Sequence, residues 1–176
     1  LGHNLLQWHL DRQWKSIRKL AKNLGVFLFG DVPFYVSKDS ADVWSNRSLF
    51  SILTNSETYL QSGVPPDYFS ATGQLWGNPV YRWSRHKASK YRWWRKRISR
   101  HLEQVDFLRL DHFRALEAFW AIPGKDKTAE NGFWLSSPGR EILGLIKKDC
   151  SGFLPLVAED LGLITSNVEK LRDDFQ

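Results

Sequence analysis

Three short apolar segments, each reaching a carboxylate, constrain the fold of this chain more than any other feature. The segments are Val26–Phe29, Val105–Leu110 and Leu154–Ala158, and the acids at their ends are Asp31, Asp111 and Glu159. Between them lie segments with apolar residues at spacings of three and four, which indicate amphipathic helices. This alternation predicts an α/β fold with a parallel sheet covered by helices. The wholly apolar first segment predicts a strand buried on both faces.

The helical segments carry apolar stripes or terminal signals. The two stripes are Leu10, Trp14, Ile17, Ala21 and Leu24, with Gly25 as the stop, and Tyr91, Trp94, Ile98 and Leu102. A third helix is predicted from Pro138 to about Asp149, and a fourth from a cap at Thr165 or Ser166. The segments 32–87 and 112–137 are predicted to be loops, apart from a short helix near Ser40–Trp44. Loops of this length are usually functional.

Composition excludes several classes of protein. Hydrophobic residues make up 42% of the 176, and no apolar run approaches the roughly 20 residues of a transmembrane helix, so neither disorder nor a membrane span is expected. The single cysteine, Cys150, excludes an internal disulfide and favours a reducing compartment. The chain contains no Met, begins at Leu1 and stops at Gln176 within a predicted helix, so we expect an internal fragment of a longer protein.

The net charge of +6 is concentrated in one segment. Residues 68–102 contain nine Lys or Arg and no acid, interleaved with aromatic residues in the manner of a nucleic-acid-binding stretch. The helical stripe through Tyr91, Trp94 and Ile98 favours a different interpretation, in which the basic residues form the solvated face of a packed helix. We therefore expect no nucleic acid as a partner. The nine tryptophans suit either sugar stacking or a core.

The segment Arg109-Leu110-Asp111-His112-Phe113-Arg114 is the strongest candidate for a site. Side chains alternate along a strand, so Arg109 and Asp111 share one face, and an acid beside an arginine is expected to stay ionised. A structural ion pair would explain these residues alone, but Glu159-Asp160 follows the next predicted strand in the same way. Paired carboxylates are the usual means of cleaving a glycosidic bond, and at about 5–5.5 Å apart they give retention of configuration.

Acids at the carboxyl ends of parallel strands, followed by long loops, are typical of a (β/α)8 barrel. Such a barrel takes about 250 residues, so three strands form only part of one. We expect residues 1–176 to be a central piece of a catalytic barrel domain with long strand-to-helix insertions and no second domain. The chain has no metal-ligand spacing and no phosphate-binding glycine loop, so neither a metal nor a cofactor is expected.

Four segments resemble the 4-alpha-glucanotransferases, also called amylomaltases or disproportionating enzymes, of glycoside hydrolase family 77 in the alpha-amylase clan. They are GDVPFYVSKDSADVW (30–44), GVPPDYFSATGQLWGNPVYRW (63–83), RLDHFRALEAFWAIP (109–123) and AEDLGLIT (158–165). The resemblance spans nearly the whole chain. It implies a retaining transfer of α-1,4-glucan segments between maltooligosaccharides, with α-glucans as substrates and a location in the cytoplasm, or in the plastid stroma of a plant.

The resemblance also implies roles for individual residues. Asp111 matches the catalytic nucleophile and Glu159 the general acid/base, so the reaction needs Asp111 charged and Glu159 protonated. The residues implied in substrate binding are Asp31, Asp67, Trp76, Arg109 and His112. Arg109 matches the arginine that keeps the nucleophile ionised, His112 and Asp31 line the subsite for the transferred glucose, and Asp67 borders the acceptor side.

The chain departs from the family pattern in three respects. Ala71 stands where the family usually has Glu, and Ala115 where it usually has Gly. A third catalytic acid, an aspartate following a histidine on a later strand, has no match in this sequence, so we expect the 176-residue chain alone to be inactive. Two alternatives remain: an alpha-glucan hydrolase of the same clan, with water as acceptor, and a non-catalytic module that binds glucan or RNA.

Overall fold

The computed structural model describes residues 2–175, which form six α-helices, seven β-strands and two 3₁₀ turns. The helices are α1 (Gly2–Asn23), α2 (Ala41–Ser45), α3 (Trp83–Ala88), α4 (Arg92–Leu102), α5 (Gly139–Asp149) and α6 (Ser166–Asp173). The strands are β1 (Phe29–Val32), β2 (Leu60–Val64), β3 (Gln74–Pro79), β4 (Phe107–Leu110), β5 (Ala118–Pro123), β6 (Phe133–Ser136) and β7 (Leu156–Ala158). The 3₁₀ turns are Arg47–Leu49 and Phe113–Leu116.

A three-stranded parallel sheet in the order β1-β4-β7 carries the predicted alternation of helix and strand. Its register places Asp31 of β1 beside Arg109 of β4, and Arg109 beside Val157 of β7. Leu108 and Leu110 are buried on the opposite face of the central strand. The prediction of an α/β fold with a parallel sheet is therefore confirmed.

The first strand lies three residues later than predicted and is not buried on both faces. Val26, Phe27 and Phe29 are all more than half exposed, and β1 begins only at Phe29. The chain pairs with β4 from Phe29 to Val32, and no third described strand borders β1. Within the described residues, β1 therefore has no neighbouring strand on its other side to cover its apolar residues. As a result, Asp31 lies within the strand and beside Arg109 instead of after the strand.

A second sheet, antiparallel and in the order β3-β2-β5-β6, occupies the two segments predicted to be loops. That part of the prediction was wrong, and only the short helix near Ser40–Trp44 was confirmed, as α2. The strand β2 contains polar residues and Gly63, so it lacks the alternation that marks a half-buried strand. A Cβ at Gly63 would lie 2.2 Å from the carbonyl oxygen of Gln74, so the close approach of β2 and β3 requires glycine.

The helices follow the predicted stripes unevenly. Tyr91, Trp94 and Ile98 of the second stripe are buried, although α4 itself begins one residue after Tyr91, which has φ 53°. The first stripe runs along α1, where Trp14 donates to the Gln104 carbonyl at 2.7 Å but no residue is fully buried. The last helix ends at Asp173, short of the predicted continuation to the chain end; Leu1 and Gln176 lie outside the described residues.

An aromatic cluster supports the parallel sheet from one side. Tyr81 lies at its centre, donates a hydrogen bond to the Phe34 carbonyl and contacts Trp94 at 5.4 Å and His86 at 5.3 Å. These side chains are almost wholly buried, so several tryptophans serve the core and not a ligand.

Among residues 2–175, none of the helices is long and apolar enough to span a membrane.

Candidate active site

Arg109 connects three carboxylates at the exposed edge of the parallel sheet. It binds Asp31 through two nitrogens, Nε to Oδ1 at 2.9 Å and Nη2 to Oδ2 at 3.2 Å. Its Nη2 also donates to Oδ1 of Asp111 at 2.9 Å, and its Nη1 donates to Oε1 of Glu159 at 3.0 Å. The planar guanidinium can serve several acceptors at fixed angles, which an ammonium cannot do. The arrangement therefore fixes the relative positions of all three acids.

Asp111 and Glu159 meet at the carboxyl ends of β4 and β7, as the strand pattern predicted. Both accept hydrogen bonds from Arg109, and Glu159 lies close enough to raise the pKa of Asp111. The backbone N–H of His112 donates to Oε2 of Glu159 at 2.7 Å, which together with Arg109 uses both oxygens of that carboxyl group. The side chain of Glu159 is 13% exposed and that of Asp111 37%, so Glu159 is the better shielded from water.

Arg109 contacts Asp111 and lowers its pKa, in the direction expected, but it is not the largest influence on that carboxyl group. Burial and the negative charge of Glu159 raise the pKa of Asp111, and the opposing effect of Arg109 is smaller. Two carboxyl groups close together repel each other when both are charged, which opposes the ionisation of Asp111. The charge state of Asp111 therefore depends on Glu159 more than on the adjacent arginine.

His112 follows Asp111 in a left-handed backbone conformation, with φ 53° and ψ 45°. Burial lowers the pKa of its imidazole to about 4, so the ring is neutral near pH 7. The ring lies edge-to-face against Trp76 at 4.8 Å, with Tyr35 behind it at 6.2 Å. A neutral imidazole offers one donor and one acceptor, which suits hydroxyl groups.

A cleft of about 750 Å³ opens over the acids, within the usual range of ligand sites, about 300–1,000 Å³. Five of the seven predicted site residues line it: Asp67, Trp76, Asp111, His112 and Glu159. Asp31 and Arg109 do not line it but hold the acids from the side. The structure thus brings the predicted residues together as two groups, one in the cleft and one beside it.

Asp67 reaches the cleft from the connection between β2 and β3. Its Oδ1 accepts hydrogen bonds from the backbone N–H groups of Phe69 at 2.9 Å and Ser70 at 2.8 Å. The carboxylate is therefore already used to hold its own turn. At the tip of that turn, Tyr68 and Phe69 are almost fully exposed, at 97% and 92%, and both line the cleft.

Sequence reasoning did not assign two further residues of the cleft, Arg114 and Trp134. Arg114 is buried, donates to the carbonyl oxygens of Ala118 and Leu163, and has its guanidinium carbon 3.6 Å from the centre of the Trp134 ring. Arg114 lies in the segment 109–123, which resembles the family, so that resemblance could have pointed to it. Trp134 lies on β6, within a predicted loop, and nothing in its local sequence marks it.

Several residues of the basic segment 68–102 are paired with acids or packed on aromatic rings. Arg95 pairs with Asp149 at 2.6 Å, and Arg100 pairs with Asp11 at 2.8 Å. Arg97 is partly buried with its guanidinium over Trp93 and Trp94, so the expectation of a solvated face is wrong for this residue.

Among residues 2–175, no three His, Cys, Asp or Glu side chains are grouped so that they could hold a metal ion.

Comparisons with known proteins agree on one family. The family model of the 4-alpha-glucanotransferases, glycoside hydrolase family 77, matches residues 2–176. A 4-alpha-glucanotransferase of Synechocystis sp. (strain ATCC 27184 / PCC 6803 / Kazusa) is 49% identical, with 99% of this chain and 35% of the relative covered. A chloroplastic/amyloplastic 4-alpha-glucanotransferase of Oryza sativa subsp. japonica is 45% identical, with 97% and 28% covered.

A solved structure gives the same result. The amylomaltase from Streptococcus agalactiae in complex with acarbose superimposes with a TM-score of 0.93 at 39% identity, covering 98% of this chain and 35% of that one. The mixed α/β arrangement of parallel and antiparallel sheets therefore matches the amylomaltase fold. This chain spans about a third of the length of the relatives it matches. From the family match along residues 2–176, the chain belongs to the 4-alpha-glucanotransferase family, glycoside hydrolase family 77.

Proposed function

We propose that this chain carries the two reacting acids of a 4-alpha-glucanotransferase, with Asp111 as nucleophile and Glu159 as general acid/base. The observation that carries the proposal is the convergence of both carboxyl groups on Arg109, from adjacent parallel strands and at the wall of one cleft. Two carboxyl groups that can reach one anomeric carbon are the requirement for retaining chemistry.

The first half of the reaction forms a covalent intermediate. An oxygen of Asp111 attacks C1 of the glucosyl unit, the bond from C1 to the glycosidic oxygen breaks, and Glu159 gives its proton to that oxygen. In the second half, Glu159 takes the proton from the 4-hydroxyl of an acceptor sugar. That oxygen attacks C1 and displaces Asp111. Two inversions at C1 leave the α configuration retained.

The proximity of the acids gives the reaction its starting state. Before substrate enters, burial and the charge of Glu159 raise the pKa of Asp111. A glucosyl unit that enters between the two groups separates them. Glu159 is then the group held by the His112 N–H at 2.7 Å and by Arg109, so it keeps a fixed direction toward the leaving oxygen. Fixed orientation of this kind lowers the entropic cost of the reaction.

We assign the remaining predicted residues to substrate positioning. Neutral His112 and the indole of Trp76 contact each other, with 4.8 Å between ring centroids. The imidazole offers hydrogen bonds to sugar hydroxyl groups, and the indole offers an apolar surface to the sugar ring. Asp31 binds Arg109 through both oxygens and so holds the arginine in place beside the transferred glucose. Asp67 borders the acceptor side through the turn it stabilises. The insertion 32–87, which contains this turn, excludes water so that a sugar hydroxyl reacts instead.

We also propose that the parallel sheet β1-β4-β7 is part of a (β/α)8 barrel, with residues 1–176 as a central piece of one catalytic domain. The three acids at one edge of three parallel strands support this, because barrel enzymes place their sites there. We place the complete gene product in the cytoplasm, or in the plastid stroma if the source is a plant, in line with the plastid name of the rice relative.

The test is product analysis of maltotriose incubated with the complete gene product. We expect longer maltooligosaccharides together with glucose, and loss of both in Asp111→Asn and Glu159→Gln. Asp39→Asn, at an exposed acid outside the cleft, is the matched control and should retain activity. Formation of shorter sugars alone would identify a hydrolase. Full activity in Asp111→Asn would refute Asp111 as the nucleophile, and no product from the unsubstituted protein would support a non-catalytic binding role. The isolated 176-residue chain is expected to release no glucose.

A further inference from the structure

We propose that Trp134 and Arg114 together form a rigid sugar platform, a binding subsite for a glucosyl unit other than the one that reacts at Asp111 and Glu159. This inference rests on the proposed function and names a part of the cleft to which no role has been given. The supporting features are the position of Trp134 in the cleft wall, the cation beneath its ring and the links that hold that cation in place.

Trp134 offers an accessible aromatic surface to the cleft. It lies on β6, the edge strand of the antiparallel sheet, lines the same cleft as Asp111 and is 38% exposed. Its ring packs against Trp120, with 5.2 Å between the ring centroids, and against the guanidinium of Arg114. The apolar C–H face of a glucose ring would lose water on such a surface, which is the driving force for stacking.

Arg114 holds the indole from one side. The guanidinium carbon is 3.6 Å from the ring centre and Arg114 is 5% exposed, so a buried cation covers one face of the indole, while Trp134 itself remains 38% exposed. A desolvated cation on an aromatic face is attracted by the ring electrons. The tryptophan is thus fixed before a ligand arrives, and less freedom is lost on binding.

The same arginine connects this platform to the general acid. Its Nε donates to the carbonyl oxygen of Leu163 at 3.0 Å, four residues after Glu159, and another nitrogen donates to Ala118 at the start of β5. Arg114 is therefore a positioning residue that joins the antiparallel sheet to the loop after β7. A glucan that reaches both Glu159 and Trp134 would contact the loop after β7 and the antiparallel sheet. Arg114 sets the spacing between these two parts of the cleft wall.

The platform predicts a dependence on chain length. A maltotriose that occupies the acids need not reach Trp134, whereas a maltoheptaose extends along the cleft. Loss of the flat surface should therefore weaken binding of the long sugar by roughly fivefold to tenfold, the size of an aromatic contact, and change that of the short sugar by less than about twofold.

The experiment measures the dissociation constants of maltoheptaose and maltotriose by calorimetry, with the complete gene product carrying Asp111→Asn so that neither sugar is consumed. Trp134→Leu keeps an apolar side chain but removes the flat ring, and Trp134→Phe keeps a ring. We expect selective loss for maltoheptaose in Trp134→Leu and recovery of most of the affinity in Trp134→Phe. Trp44→Leu is the control, because Trp44 is 85% exposed and does not line the cleft.

Unchanged binding of both sugars in Trp134→Leu would overturn the platform and leave the proposed function intact. Equal weakening of both sugars would also overturn it, because Trp134 would then shape the whole cleft. If the Asp111→Asn protein bound neither sugar, the proposed function itself would fail. Should Trp134→Leu not fold, Trp134→Phe decides the question by comparison with a Trp134→His variant, which keeps a smaller, polar ring and should lose maltoheptaose affinity selectively.

Discussion

The backbone N–H of His112 donates to Oε2 of Glu159 at 2.7 Å, so the residue after the proposed nucleophile holds the proposed acid. The left-handed conformation at His112 aims this N–H across from β4 to β7. The two acids are therefore positioned by one turn as well as by Arg109. A change at either acid is expected to affect the other.

Replacement of Arg109 by lysine should lower kcat on the order of 10²-fold, because an ammonium cannot hold Asp31, Asp111 and Glu159 at the same time and the acids would shift. The measurement is the steady-state rate of glucose release from maltotriose by the complete gene product. Arg95→Lys breaks a similar two-nitrogen pair with Asp149 outside the cleft and should leave the rate nearly unchanged. Equal effects of the two substitutions would contradict the proposed role of Arg109.

The pKa of Asp111 should fall when Glu159 is changed to glutamine, because the neighbouring negative charge that raises it is removed. The acidic limb of the pH–rate profile should then move to lower pH. A glucosyl fluoride donor makes this measurable, since its leaving group needs no protonation by Glu159. A limb that stayed in place or moved to higher pH would show that Glu159 does not control the ionisation of Asp111.

Acid should destabilise the fold through His86, whose pKa burial lowers from 6.5 to about 4. The unfolded chain takes up this proton below pH 6.5 and the folded chain does not. The free energy of unfolding should therefore decrease between pH 6.5 and 4, by up to about 3 kcal/mol. Denaturant unfolding at several pH values measures it, and the decrease should be smaller in His86→Phe. An identical pH dependence in this variant would exclude His86 as the cause.

A methyl group at Gly63 should destabilise the antiparallel sheet by about 1–3 kcal/mol, the usual cost of forced overpacking. The added Cβ would lie 2.2 Å from the Gln74 carbonyl oxygen and would push β3 away from β2. Gly144→Ala is the control, because its Cβ would meet nothing closer than 3.9 Å and alanine is the better helix former. The melting temperature measured by thermal unfolding should decrease for Gly63→Ala and not for Gly144→Ala.

The spacing of apolar residues was sufficient to predict the helices and strands in which that spacing is uninterrupted. The stripe of α4 and the strand Phe107–Leu110 followed from apolar spacing, and the acids at strand ends marked the site edge. The antiparallel sheet could not be found in this way. Its strand β2 contains Gln61, Ser62 and Gly63, whose environment is set by a partner strand about sixty residues away.

The sequence by itself determined the alternating α/β order, the pairing of Asp111 with Glu159 as candidates and the family. Only the tertiary structure decided that Asp31 belongs to the Arg109 cluster and that Arg114 supports Trp134. It also decided that the pKa of Asp111 is raised. The physical reason is that periodicity reports which face of one element is apolar, whereas burial, charge and stacking depend on distances between elements far apart in the chain.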